Sequence, residues 1–147
     1  GNSLWLRITA GGSSTGKKAK RYLSVEEISV KEDIMQDSIL MTIRKLVCGD
    51  PYADHFDTDL LVHINACFSI LSQLGVGPEN GFVVTDETQS WSSYSDNDRI
   101  LNMVKTYVTL KVKKIFDPPL TSSVMEAMDK EIKELEWRLN VAVDPAT

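Results

Sequence analysis

From residue 35 onward, apolar side chains recur every three or four positions in four stretches, and the gaps between them carry residues that end helices. The spacing predicts a first helix capped near Asp37 or Ser38, with Ile39, Ile43, Leu46 and Val47 on one face. "CGDPYADHFD" should end it, because Gly49 can take the left-handed position beyond a helix and Pro51 cannot continue one. A second helix is predicted from Asp57 or Thr58 through Leu60, Leu61, Ile64, Phe68, Leu71 and Leu74. It stops at "QLGVGP", where Gly75 fits the left-handed cap and Val76 the apolar contact beyond it.

The helical period breaks at "GFVVTDETQSW". Phe82-Val83-Val84 and Thr88-Gln89-Ser90-Trp91, placed around Asp86-Glu87, fit either a short β-hairpin or an ordered loop, and a lone hairpin must pack on something to be stable. Trp91 is the expected anchor onto the helices. The third helix runs from "SDND" at 95–98 to Phe116, with Ile100, Leu101, Val104, Tyr107, Val108, Val112 and Ile115 as its apolar stripe. Lys105, Lys111, Lys113 and Lys114 occupy its other faces; lysines in the last turns suit the negative end of the helix dipole and could also face a ligand. "DPP" at 117–119 forces a stop.

The fourth helix should be capped at Thr121 or Ser122 and run to about Val141, with Val124, Met128, Ile132, Leu135 and Leu139 as its stripe. Glu126-Lys130, Asp129-Lys133 and Glu134-Arg138 are favourable pairs four residues apart. Trp137 lies off that stripe, so it either packs on the 81–91 segment or is presented to a partner. Together these elements predict an all-α, four-helix subunit with a short β-hairpin or ordered loop between helices two and three.

Composition narrows the function classes. With 147 residues, one helical domain with a real core is expected. No apolar run approaches the length of a membrane span and no signal-peptide pattern occurs, so no membrane partner is expected. Residues 1–34 hold six basic and four acidic side chains; since the whole chain is at −5, residues 35–147 carry −7. Such a body is unsuited to gripping nucleic acid through its phosphates, yet it does not hinder DNA from sliding past. Cys48 and Cys67 lack metal-site spacing and read as free thiols in a reducing compartment.

Catalytic motifs fare poorly. "GGSSTGKK" satisfies most of the phosphate-loop pattern, but Lys18 stands where the Mg²⁺-binding hydroxyl belongs, and "KKAKRYLSVEEISV" has no clean apolar face for the helix such a loop opens. A flexible Gly/Ser segment with a basic end is the simpler reading. His55 and His63 lack convergent carboxylates, and in "HFDTD" Asp57 and Asp59 read as the cap and first-turn acids of a helix. Neither a catalytic site nor a cofactor or metal site is expected. A DNA-binding helix-turn-helix would need a short turn and an outward basic helix; here the connections are long and the fourth helix alternates in charge. A small helical regulatory or DNA-binding module is the alternative class.

One further observation joins the segments. "SILMTIRKLV", "FDTDLLVHINACFSILSQLGVGP", "GF", "SW", "NMVKTYVTLKVKKIFDPP" and "ELEWRLNVA" occur in this order, and over about residues 36–143 the chain resembles the small phage and prophage head-tail connector, or adaptor, proteins. The resemblance implies a helical subunit that assembles with copies of itself into a ring below the portal protein. That ring would extend the DNA channel without sequence-specific binding and dock a stopper or tail-completion protein. It implies assembly in the host cytoplasm and then residence in the virion. It also implies that the C-terminal "EWRLNVAVDPAT" meets the portal. With it, Trp137, Arg138, Asn140 and Val141, together with Trp91, become the candidate partner interface, and no catalytic residue comes with the family.

Residues 1–34 lie outside the family pattern, whose start is matched by Met35-Gln36-Asp37-Ser38-Ile39-Leu40. They are expected to be a flexible or non-native leader to the 35–147 connector domain, Gly1 being a possible cloning scar; the rival is an authentic arm that orders on a neighbour. Lys31-Glu32-Asp33 can be written AAG-GAG-GAY, which contains the purine-rich ribosome-binding sequence AAGGAGG just before the Met35 codon. Reading the gene checks this: the leader interpretation expects those codons, and different codons at 31–33 remove its basis.

Overall fold

The computed structural model describes residues 6–9, 20–27 and 37–143, and the chain divides into two compact units, Gly1–Gln36 and Asp37–Thr147. In the first unit, strand β1 (Leu6–Thr9) pairs antiparallel with β2 (Lys20–Leu23), Leu6 opposite Leu23 and Thr9 opposite Lys20. Ser24 then starts a single helical turn, its Oγ accepting from the Glu27 amide at 3.2 Å. Residues 11–18, with the phosphate-loop-like stretch, lie outside the described residues.

The second unit is helical, as the apolar periodicity predicts. Helix α1 (Ile39–Ile43) is capped by Ser38, whose side chain accepts from the Met41 amide, and it continues as a π-helical turn over Arg44–Cys48 that ends on Gly49 at φ 81°. This wider turn changes the angular step per residue. Ile39, Ile43 and Val47 of the expected apolar face meet the core, while Arg44 turns inward and Leu46 outward. Helix α2 (Asp57–Gln73) follows, then a one-turn helix α3 (Trp91–Tyr94), and the two long helices α4 (Asp98–Phe116) and α5 (Ser122–Val143).

Helix α4 sits centrally. Ile100, Leu101, Val104, Tyr107, Val108 and Val112 are buried and share one core with Ile132, Leu135 and Leu139 of α5 and with Leu60, Ile64, Phe68 and Leu71 of α2. Val124, at the start of the predicted α5 stripe, is exposed, because the helix reaches the core only from about Met128 onward.

Between α2 and α3 the ordered loop is what forms. Residues 81–89 make no strand pair with one another, because their main-chain groups find other partners. Asn65 of α2 donates to the Val84 carbonyl at 2.9 Å and accepts from the Val84 amide at 2.8 Å, acting as a one-residue strand. The Ile39 amide donates to the Gln89 carbonyl, Ser38 Oγ to the Glu87 carbonyl, and Ser92 to the Asp37 carboxylate. Trp91 is fully buried against Phe68, its indole N–H donating to Thr42 Oγ1 at 3.2 Å.

"QLGVGP" uses its two glycines differently. At Gly75 (φ 86°) the amides of Gly75 and Val76 bond back to Ser72 and Leu71, closing a Schellman cap with Val76 buried behind it. Gly77 also has positive φ, and a Cβ there would lie 2.5 Å from the Tyr94 ring. Gly77→Ala is therefore expected to lower unfolding free energy by about 2–3 kcal/mol and Gly75→Ala, whose methyl would meet only Val143 at ordinary contact distance, by about 1 kcal/mol. Urea titration followed by circular dichroism checks both values and their order.

Candidate functional site

Two features of the helical unit combine charge with definite geometry. The first is Arg44, 2% exposed at the π-turn. Its Nε and Nη2 form a two-pronged contact with the Asp57 carboxylate, and Nη1 donates to Glu87 Oε1 at 2.6 Å and to the Pro51 carbonyl at 3.1 Å. Bonding to Asp57 holds the guanidinium still more firmly in its charged form, and Glu87 adds to this while burial opposes it. One side chain thus ties the start of the π-turn, the loop before α2, the first turn of α2 and the 85–89 loop.

This pairing corrects the reading of "HFDTD". Asp57 is the first residue of α2, Phe56 occupies the cap position without a side-chain bond, and the Asp57 carboxylate faces Arg44. The helical period could not reveal Arg44, since a basic residue at position 44 reads as solvated surface until the π-turn is known.

The second feature is an open groove of about 510 Å³ between the start of α4 and the end of α5. Arg99 and Met103 line one wall; Trp137, Arg138 and Val141 line the other, and among the described residues no carboxylate lines it. Trp137 is 67% exposed, so it is presented outward rather than packed on the 81–91 segment. Arg138 has a long exposed contact with Glu134 at 3.5 Å, a pair worth little in water. Asn140 is exposed and its amide donates to the Leu74 carbonyl at the end of α2, at 3.4 Å. Of the five candidate interface residues, Trp137, Arg138 and Val141 come together in this groove. Trp91 does not: it is closed inside the core, where the indole fills space next to Phe68 and Lys105 Nζ lies 5.7 Å from its ring.

The other polar candidates have structural partners. Lys111 reaches over the Tyr107 ring and Lys114 pairs with Asp129 of α5, so Asp129 bridges two helices in place of the expected contact with Lys133. His63 packs edge-on against Phe116, and exposed His55 lies 3.5 Å from the Asp54 carboxylate. Cys48 and Cys67 are both free; burial pushes the Cys67 thiol up to about 11, which keeps it protonated near neutral pH and a poor nucleophile. Among the described residues no group of His, Cys, Asp and Glu is placed to hold a metal ion, and no helix is long and apolar enough to cross a membrane.

Residues 39–146 match the family model described as Phage connector protein, which covers nearly all of the helical unit. No curated protein and no solved structure matches the chain.

Because the Arg44 cluster is ionic, removing one partner should cost more than removing the pair. Arg44→Ala, which leaves Asp57 facing an emptied site, is expected to destabilise the fold by about 3 kcal/mol, and Arg44→Leu with Asp57→Leu by at least about 1 kcal/mol less. Chemical denaturation of the two variants beside the wild type reads the difference.

Proposed function

The chain belongs to the phage connector protein family, and from that premise we propose that it is a structural subunit of the head-tail junction that closes with copies of itself into a ring beneath the portal protein. The ring extends the DNA channel and offers its far side to a stopper or tail-completion protein. Assembly takes place in the host cytoplasm, and the product stays in the virion. No catalytic step is assigned to it.

The observation that carries this reading is the family match over residues 39–146, and the surface is consistent with it. The working domain is acidic, −7 over residues 35–147, and lysines 105, 111 and 114 are engaged with Trp91, Tyr107 and Asp129. A conduit needs this property, since a strongly basic wall would hold DNA through its phosphates and slow its passage. Exposed Trp137, Arg138, Asn140 and Val141 belong to the subunit's contact surface. The C-terminal segment from residue 136 onward contributes to the junction with the portal.

Size-exclusion chromatography with light scattering, run with and without the portal protein, is expected to show a closed oligomer in at least one condition. A chain that stays monomeric in both, and never comigrates with portal, overturns the proposal.

A further inference from the structure

The α4–α5 groove is positively charged and apolar, and the same chain carries a surface of the opposite character. The loop between the π-turn and α2, residues 49–56, exposes Tyr52 (67%) and Phe56 (48%) beside the exposed carboxylates of Asp50 and Asp54. Its shape is set by its own hydrogen bonds. Asp50 Oδ1 accepts from the Tyr52 amide at 2.9 Å, the Ala53 amide donates to the Asp50 carbonyl, and the Asp57 amide to the Asp54 carbonyl. Behind it Arg44 holds the Pro51 carbonyl, so the loop is presented with little conformational entropy left to lose on binding.

A single copy cannot bring these two surfaces together. Phe56 packs edge-on against Phe116 at the C-terminal end of α4, with ring centroids 6.2 Å apart, whereas Arg99 and Met103 stand in the first turns of that helix. From Met103 to Phe116 the helix rises by about 20 Å. Two complementary surfaces at opposite ends of one subunit are the requirement for a head-to-tail contact, in which every copy uses both.

We propose that the groove of one subunit seats the 49–56 loop of the next. The Tyr52 ring lies against Trp137 and Val141, and Asp50 and Asp54 face Arg138 and Arg99. This rests on the ring reading and divides the contact surface: Trp137, Arg138 and Val141 serve the neighbouring subunit, and the chain beyond Val141 is left for the portal. Glu134 releases Arg138 at little cost, because that pair is long and exposed. An exposed aromatic residue beside an arginine is the kind of anchor on which interfaces concentrate their energy.

The test uses two full-length variants, both in a Cys48→Ser background, one with Tyr52→Cys and the other with Val141→Cys. Mixed and mildly oxidised, they are expected to form a disulfide-linked mixed pair in several-fold excess over the like-with-like pairs that each forms alone. Adding Arg138→Glu to the Val141→Cys chain should cut that yield about tenfold, and adding Asp50→Lys with Asp54→Lys to the other chain should restore it. A mixed pair no more abundant than random collision gives, or one indifferent to the charge reversals, overturns the assignment. Light scattering on the wild type separates the two ideas. Closed rings without the mixed pair sink the groove assignment and keep the ring; the mixed pair in open chains keeps the groove assignment and sinks the ring.

Discussion

A guanidinium removed from water must be surrounded by acceptors, and at Arg44 that requirement organises one end of the helical domain. Asp57, Glu87 and the Pro51 carbonyl come from three separate stretches, the first turn of α2 and the loops before and after that helix. The cost of burying the charge is offset only when all three are in place. The π-turn, the 49–56 loop and the 85–89 loop are therefore positioned together rather than one by one, and the aromatic face of that loop owes its fixed presentation to the same contacts.

The opposite end depends on ordinary packing. Leu135 and Leu139 hold the last turns of α5 against α4, and Trp137 and Arg138, which lie between them in sequence, are turned outward by the same periodicity. Arg99 of α4 and Arg138 of α5 reach the groove from opposite walls. Helix α4 is the spacer between this groove and the 49–56 loop, whose Phe56 packs on Phe116. In the ring proposed above one contact repeats from subunit to subunit, and a long central helix fixes the distance between its two halves better than any loop.

Polar side chains do in this domain some of the work that a β-sheet would do elsewhere. Asn65 supplies both a donor and an acceptor to Val84, and Ser38 and Asp37 bind the main chain around residues 87–92, so the 81–91 segment is ordered without becoming a strand. Trp91 shows the consequence. Its size and its place after a polar loop made it a candidate for both anchor and interface, and the segment's attachment to α1 carries it inward.

The order, lengths and ends of the four long helical segments were legible in the chain, because they follow from local rules. Apolar residues at helical spacing, Gly49 and Gly75 with positive φ, the "SDND" start and the Asp117-Pro118-Pro119 stop act over a few neighbours and need no distant partner. The outward position of Trp137 was half legible, as a large aromatic off the apolar stripe. Three things were decided only by tertiary structure: the inward turn of Arg44, the burial of Trp91, and the choice of loop over hairpin at 81–89. Each depends on a partner 13 to 49 residues away, Asp57 and Glu87 for the arginine, Thr42 for the tryptophan, Asn65 for the loop. A periodicity read along the chain carries no information on pairings at that distance, because they are selected by the energy of satisfying buried polar groups after the helices have packed.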